Sequence, residues 1–257
     1  MSSHKKRPRG TETELYSETV FIINDSNEGN IGEFLATHKP PKQPKPSSHN
    51  DTKPNKHRNV GSEPREKDAV GLRVIGGTFR GSKLAYAGDN RVRPMKDRVR
   101  EAVFNLIGVD VRGKFAIDLF AGTGALAIEA ISRGAIGATL IEQHFPTARN
   151  ARNNLVSLNL ESKCKLITTD TFFWSHTQEN VPTDTAWIVF CSPPYDFYIN
   201  RTDSIIALLT RLKTAAPPDS LFVIEADNRF DFTQLPFTPN EKHRRSYPPA
   251  EVAIYRL

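Results

Sequence analysis

From residue 72 to its end, the chain alternates between short apolar runs and segments whose apolar residues recur with a helical spacing. The apolar runs predict strands at residues 115–120, 138–141, 165–168, 187–191, 221–225 and 252–255. The helical spacing predicts helices at residues 98–108, 125–133, 146–158 and around 205–212. Nearly continuous apolar strands separated by helices predict an α/β fold, with a mostly parallel sheet covered by helices on both faces.

The first 70 residues differ from the rest of the chain. Residues 38–68 have almost no large apolar side chains and are rich in Pro, Lys, Ser, Asn and His. Such a segment buries too little apolar surface to offset the entropy lost on ordering. We therefore expect a disordered, basic and proline-rich extension over residues 1–70 and one folded domain over residues 71–257.

Composition narrows the cellular setting. No run of 18 or more apolar residues occurs, and the amino-terminal residues lack the apolar stretch of a secretory signal. The two cysteines, Cys164 and Cys191, are too few for a disulfide framework and fall in apolar runs. We expect buried free thiols and a reducing, cytoplasmic environment, with no membrane association.

A glycine-rich turn follows the first predicted strand. It begins at Asp118, continues through Phe120 and places Gly122 and Gly124 in the spacing G-x-G-x-x-G/A. Because it follows a strand and precedes a helix, the backbone there can approach a nucleotide closely. The turn alone fits a dinucleotide, S-adenosylmethionine or a tight turn without a ligand.

Acidic residues end three successive predicted strands. These residues are Asp118, Glu142 and Asp170. The carboxyl ends of parallel strands meet at one edge of the sheet, where open α/β folds bind ligands. Glu142 can accept hydrogen bonds from both hydroxyl groups of a ribose, and Asp170 from an adenine amino group. Each acid taken singly could equally be a solvated strand end.

The segment Ser192-Pro193-Pro194-Tyr195 directly follows the apolar run 186–191. Two prolines fix the local backbone and remove two N–H donors, so the carbonyl groups of Ser192 and Pro193 become fixed acceptors at a strand end. Acceptors aimed at an exocyclic amine favour its nucleophilic geometry, and Tyr195 can stack on a base. The segment predicts a catalytic site for amine methylation, and the alternative is a proline-rich turn.

Basic residues concentrate just before the glycine turn. Residues 72–100 contain eight Arg or Lys against two Asp, in a chain with a net charge of +6. Such a run attracts nucleic-acid phosphates, although a solvated charged face is the usual alternative. The candidate RNA-binding residues are Arg73, Arg80, Lys83, Arg91, Arg93 and Arg98. A smaller basic cluster lies at residues 242–245.

The order and spacing of these motifs resemble the bacterial RsmD-type family, which methylates N2 of a guanine in small-subunit (16S) ribosomal RNA. The resemblance spans residues 72–257 and excludes the first 70 residues. It rests on Leu72-Arg-Val-Ile-Gly-Gly77, Arg80-Gly81, Lys83-Leu84, Arg93-Pro94, residues 97–101, residues 118–126, Glu129-Ala130, Ser132-Arg133-Gly134, Leu140-Ile-Glu142 and Pro193-Pro194-Tyr195.

The resemblance implies a Rossmann-like class I methyltransferase with a seven-stranded sheet and an N-terminal β-hairpin. It implies S-adenosylmethionine as cofactor and no metal. Asp118 and residues 122–124 would hold the methionine part, Glu142 the ribose and Asp170 the adenine. The partner would be small-subunit ribosomal RNA or the assembling subunit, and the protein is expected to be a monomer.

Ser192 departs from the family pattern, which has Asp at this position. A serine hydroxyl is a weaker acceptor than a carboxylate, so the sequence predicts reduced activity that Ser192→Asp should raise. Three alternatives remain: a cofactor-binding pseudo-methyltransferase with an RNA-binding role, a DNA amino-methyltransferase, and a nicotinamide dehydrogenase. The dehydrogenase leaves both the Ser-Pro-Pro-Tyr segment and the basic run unexplained.

Overall fold

A computed structural model describes residues 71–86, 95–238 and 244–257 of the 257-residue chain. The predicted extension over residues 1–70 and the candidate RNA-binding residues Arg91 and Arg93 lie outside the described residues. In the described part, no helix is long and apolar enough to span a membrane.

Seven strands form one sheet. They are β1 (Phe115–Asp118), β2 (Gly137–Ile141), β3 (Cys164–Ile167), β4 (Trp187–Cys191), β5 (Leu221–Asp227), β6 (Arg244–Tyr247) and β7 (Ala250–Arg256). Their order across the sheet is β3-β2-β1-β4-β5-β7-β6. The first five run parallel, whereas β7 pairs antiparallel with β5 and with β6. The mostly parallel seven-stranded sheet is therefore confirmed.

Six α-helices and two short 3-10 helices connect the strands in the described part. The α-helices are α1 (Asp97–Ile107), α2 (Ala125–Ser132), α3 (Phe145–Ser157), α4 (Thr171–Trp174), α5 (Phe197–Asn200) and α6 (Thr202–Ala215). The 3-10 helices span Gly108–Val111 and Phe232–Gln234. The four longer helices agree with the sequence prediction to within a few residues. Helices α4 and α5 are single turns, too short to give a periodic signal.

The strands bury both faces, and alternate residues enter two separate apolar clusters. In β4, Ile188 and Phe190 join the cluster that contains α1 and α2, while Trp187 and Val189 face the cluster that contains α6. This two-sided burial explains why the strands are apolar throughout instead of alternating. Helices thus cover both faces of the sheet, as predicted.

Both cysteines are buried free thiols, as expected. Cys191 ends β4 and Cys164 begins β3. Burial raises the pKa of each thiol to about 12, so both stay protonated and unreactive in the folded protein.

Residues 71–86 form a turn held by one antiparallel bridge, between Arg73 and Lys83. Its apolar residues Leu72, Val74 and Leu84 are buried in the α1/α2 cluster. The resemblance implies a β-hairpin here, and the bridge is the pairing found among the described residues.

A pair of glycines lets this turn approach α2 closely. Gly77 has a φ of +76°, and a Cβ atom there would lie 1.8 Å from the carbonyl oxygen of Ser132. That carbonyl accepts from the amide of Thr78 at 2.8 Å, and the Ser132 hydroxyl donates to the carbonyl of Gly76 at 2.5 Å. Only glycine combines this backbone conformation with this approach.

The buried carboxylate of Glu129, on α2, fixes the same turn. It accepts from the backbone amides of Ile75 at 2.7 Å and Gly76 at 2.8 Å, and from Nε of Arg133 at 2.7 Å. The guanidinium of Arg100, on α1, is fully buried and lies 3.9 Å away. One carboxylate therefore connects the turn, α1 and α2.

The second basic cluster, at residues 242–245, has a structural explanation for its described part. Arg244 and Arg245 belong to edge strand β6, where the Arg244 guanidinium pairs with Glu251 of β7. The sequence did not predict this strand, because it is short, polar and exposed. Charged side chains on an edge strand discourage pairing with another sheet.

We expect Glu129→Ala to lower the free energy of unfolding by about 3–5 kcal/mol, because it leaves two amides without an acceptor and removes one of the two carboxylates beside the buried Arg100 guanidinium, the other being Asp97 at 3.0 Å. Urea denaturation measures this change. The exposed Glu161→Ala is the matched control and should be close to wild type. A loss for Glu129→Ala no larger than that of the control would show that this carboxylate does not anchor the turn.

Candidate active site

A cavity of about 980 Å³ opens at the carboxyl edge of the parallel strands. It brings together most of the predicted cofactor and catalytic residues, which arrive from the ends of β1, β2, β3 and β4. These residues are Phe120, Gly122, Glu142, Asp170, Ser192, Pro193, Pro194 and Tyr195. Two predicted cofactor residues, Asp118 and Gly124, do not line it.

Glu142 holds the glycine turn against the end of β2. Its Oε2 accepts from the amide of Gly122 at 2.9 Å, and its Oε1 accepts from the amide of His144 at 2.8 Å. Gly122 has a φ of +55°. The carboxylate therefore orders the turn as well as facing the cavity, and each oxygen retains a lone pair for a ligand.

Gly124 begins α2 with a φ of +79°, beneath the cavity wall. A Cβ atom at this position would lie 3.0 Å from Cδ2 of Leu140 in β2. Its observed role is therefore close packing of helix on strand, which differs from direct contact with the cavity.

Asp118 is 1% exposed and lies at the end of β1, behind the cavity wall. Neither carboxylate oxygen has a hydrogen bond of normal geometry from the described residues. The pKa of this carboxyl is raised to about 7, mainly by burial and also by the nearby Glu142 carboxylate, while the backbone amides of Ala127 and Phe120 offset part of the rise. The site thus contains a buried acid that titrates near neutrality.

Asp170 sits at the amino end of α4 beside an aromatic group. Its Oδ1 accepts from the amide of Phe172 at 2.7 Å, and its Oδ2 lies 3.9 Å from the Arg201 guanidinium. The rings of Phe120, Phe172 and Phe197 lie 6.1–6.3 Å apart, and Arg201 stacks over Phe172 at 4.0 Å. All three rings line the cavity. They form an aromatic wall of mutually tilted rings, at 34–82° to one another, next to a carboxylate, which suits a purine.

The Ser-Pro-Pro-Tyr segment lies beside a carboxylate that the motif analysis did not identify. The hydroxyl of Ser192 donates to Oε2 of Glu225, and the hydroxyl of Tyr195 donates to Oε1 at 2.9 Å. Glu225 belongs to β5, which neighbours β4. It also ends a predicted strand, so the strand-end argument applied to Asp118, Glu142 and Asp170 would have found it.

The cavity wall also contains residues from the carboxy-terminal part of the chain. Tyr247, Pro248 and Pro249 join β6 to β7 and line the cavity. Arg229, also on the wall, donates to Asp227 at 2.7 Å and to Asp196 at 3.0 Å. The sequence patterns gave no signal for these residues. The pairing of β6 with β7 places residues 247–249 here, and Arg229 follows the end of β5.

Comparison with known proteins identifies the family. The family model described as "Conserved hypothetical protein 95" matches residues 72–256. The "Putative rRNA methyltransferase YlbH" of Bacillus subtilis is 30% identical over 190 residues, which cover 72% of this chain and 98% of that protein. The "Ribosomal RNA small subunit methyltransferase D" of Escherichia coli is 35% identical over 133 residues, covering 52% of this chain and 65% of that protein. The chain belongs to the RsmD-type family.

A solved structure agrees with this assignment. The "Putative methyltransferase yhhF" of Escherichia coli superposes with a TM-score of 0.58 at 27% identity, covering 72% of this chain and 97% of the other. The RsmD-type fold, a Rossmann-like class I methyltransferase, is therefore confirmed.

The basic candidates that the structure describes in this RsmD-type protein lie outside the cavity lining. Arg73, Arg80, Lys83 and Arg98 are exposed, and Arg73 pairs with Asp97 at 3.3 Å. From the basic run, Lys96 does reach the cavity wall. Arg100 is fully buried and donates to the carbonyls of Met95 and Arg73, so it is a structural residue and not part of an exposed basic surface.

We expect Asp118→Asn to change the pH dependence of stability. The folded pKa of Asp118, about 7, lies above its ordinary value of 3.8, so the folded state holds this proton more tightly and wild-type stability falls as the pH rises between these values. The variant lacks this loss. Its stability relative to wild type should rise by roughly 4 kcal/mol between pH 4 and pH 8.

Urea denaturation of both proteins across this pH range measures the difference, and other titrating groups cancel in it. A difference that does not vary with pH would mean that Asp118 ionises normally in the folded protein.

Proposed function

We propose that this protein transfers a methyl group from S-adenosylmethionine to the exocyclic N2 amine of a guanine in small-subunit ribosomal RNA. The observation that carries the proposal is one cavity that joins the Gly122 turn, Glu142 and Asp170 to the Ser192–Tyr195 segment. The first three suit a nucleoside-containing cofactor, and the last suits a flat base bearing an amine. Family membership and the rRNA methyltransferase names of its relatives support the RNA substrate.

The donor set of the cavity fits this cofactor. Glu142 would accept from the ribose hydroxyls, since a carboxylate oxygen that already accepts one amide can accept a second bond. Asp170 and the aromatic wall of Phe120, Phe172 and Phe197 would hold the adenine. The Gly122 backbone would lie along the methionine part. When bound, S-adenosylmethionine supplies an electrophilic methyl group on a sulfonium.

Asp118 takes a different part from the one the motif suggested. Its carboxyl lies behind the cavity wall, so we assign it to the support of the glycine turn and not to direct contact. A carboxyl buried at the end of β1 helps set the electrostatic environment of the cavity, because buried charges are weakly screened.

The chain supplies the base-binding half through its own residues. Tyr195 offers a ring on which a base can stack, typically worth about 1–3 kcal/mol per base. The carbonyls of Ser192 and Pro193 and the hydroxyl of Ser192 offer acceptors for the two amine protons. Positioning and aimed acceptors account for catalysis without a covalent enzyme intermediate.

RNA would approach over the exposed turn formed by residues 71–86. Arg80 and Lys83 project from this turn, and Arg73 and Arg98 are also exposed. Because the Glu129 carboxylate fixes the turn to α2, the turn holds these basic side chains in a defined place on the surface of the domain.

A tritium-transfer assay tests the proposal. We expect wild type to label small ribosomal subunits that lack the modification, with the label recovered as N2-methylguanine. Glu142→Gln should raise the cofactor concentration needed for half-maximal rate, and the exposed Glu161→Gln should not. Label on an adenine or cytosine amine, on DNA, or no label at all would overturn the proposed function, and the last result would favour a cofactor-binding pseudo-methyltransferase.

We expect the double variant Arg80→Glu with Lys83→Glu to bind small-subunit RNA more weakly and with a flatter salt dependence, because fewer phosphate contacts release fewer counterions. Lys163→Glu with Lys165→Glu carries the same charge change at the β3 edge and is the control. Filter binding at several salt concentrations measures both. Equal slopes in the two variants would place the RNA surface elsewhere.

A further inference from the structure

Glu225 places a buried carboxylate directly beside the segment that would hold the amine. The residue is 7% exposed and lines the cavity. Each of its carboxylate oxygens accepts a hydrogen bond, one from the Ser192 hydroxyl and one from the Tyr195 hydroxyl. The sheet dictates this position. Cys191 pairs with Ile224 across β4 and β5, so the next residue on each strand is also a neighbour.

This contact changes the chemical character of Ser192. An isolated serine hydroxyl is a neutral acceptor and a weak replacement for Asp. A hydroxyl that donates to an ionised carboxylate is polarised, and its oxygen then accepts a second hydrogen bond more strongly. The negative charge expected at position 192 is thus present in the site, displaced onto the neighbouring strand.

We propose that Ser192 and Glu225 act as one acceptor for the target amine, with Ser192 contacting the amine and Glu225 supplying the charge through it. The inference rests on the proposed function and deepens it. The amine nitrogen lone pair forms the new N–C bond, and the C–S bond breaks with its electrons left on sulfur. The surplus amine proton passes to Oγ of Ser192 while the serine proton passes to the Glu225 carboxylate.

Glu225 has a second task through its other oxygen. The hydrogen bond from the Tyr195 hydroxyl fixes the rotation of that side chain at the cavity wall. The Glu225 carboxylate therefore orients the stacking ring of Tyr195 and polarises the Ser192 hydroxyl that accepts from the amine. We class Glu225 as a positioning residue, since both effects act through other side chains.

The pairing reverses the expectation that Ser192→Asp raises activity. An aspartate at position 192 would place a second carboxylate against Oε2 of Glu225. Two such groups in contact cannot both ionise easily, so one retains a proton and the acceptor is lost. We expect Ser192→Asp to be slower than wild type, and the double variant Ser192→Asp with Glu225→Gln to recover part of that loss.

The test is single-turnover methyl transfer to unmodified small-subunit RNA at saturating cofactor. Glu225→Gln should slow the chemical step about 10- to 150-fold, the range for losing a hydrogen bond to a charged group. Cofactor affinity and the melting temperature should stay near wild type. Glu251→Gln, the same change on the adjoining strand β7, is the control.

A double-mutant cycle separates a shared role from two independent ones. Ser192→Ala should slow the step by a similar factor, and Ser192→Ala with Glu225→Gln should be no slower than the slower single variant, because the pair works as a unit. A merely structural role of Glu225 would not yield the recovery of Ser192→Asp by Glu225→Gln.

The outcomes distinguish this inference from the function beneath it. A wild type that transfers no methyl group to RNA overturns the proposed function and this inference with it. An active wild type whose rate is matched by folded Glu225→Gln, or additive losses in the cycle, overturns the inference alone. If Glu225→Gln fails to fold, Ser192→Asp decides: a rate above wild type overturns the inference, and a rate below it supports the inference.

Discussion

The buried Glu129 carboxylate is the interaction on which the arrangement of this domain depends. It binds the amides of Ile75 and Gly76, pairs with Arg133 and lies near the fully buried Arg100. Loss of this carboxylate would leave two backbone amides without an acceptor and would weaken the compensation of the Arg100 charge, which also pairs with Asp97 at 3.0 Å. Since α2 also begins at the glycine turn, the same helix positions the cofactor half of the cavity at one end and the basic turn along its side.

The carboxyl edge of the sheet concentrates acids, and their surroundings give them different properties. Glu142 and Asp170 are half-buried, and each accepts hydrogen bonds from backbone amides. Asp118 lies behind them without a hydrogen bond of normal geometry from the described residues, and its burial is the main reason that its pKa is raised to about 7. Glu225 is also buried, and it accepts hydrogen bonds from the hydroxyl groups of Ser192 and Tyr195. The same edge of the sheet therefore has carboxylates that can accept from a ligand (Glu142 and Asp170), a buried carboxyl that titrates near neutrality (Asp118), and a carboxylate beside the Ser-Pro-Pro-Tyr segment (Glu225).

Much of this architecture could be predicted from the sequence because the parallel strands are buried on both faces. Side chains on both faces of these strands are buried, for example Ile188 on one face and Phe222 on the other, so the strands appear in the sequence as apolar runs. Strand β6 could not be predicted, because Arg244 and Arg245 sit on an exposed edge and pair only through β7. The contact of Ser192 with Glu225 depends on the register of two strands 30 residues apart in sequence, which no local pattern contains. The burial of Arg100 likewise follows from tertiary packing, since it lies in a segment that also contains the charged Asp97, Arg98 and Glu101.

The two buried thiols, Cys164 and Cys191, can serve as natural probes of local opening of the sheet. Cys191 is the last residue of β4, immediately before the Ser-Pro-Pro-Tyr segment, whereas Cys164 begins the edge strand β3. A thiol reagent reaches either sulfur only when its strand separates from its neighbours. Alkylation rates at the two positions therefore measure local opening separately at the central strand β4 and at the edge strand β3, without an introduced cysteine. Slow labelling of Cys191 would mark the segment next to the active site as part of the most stable unit of the domain.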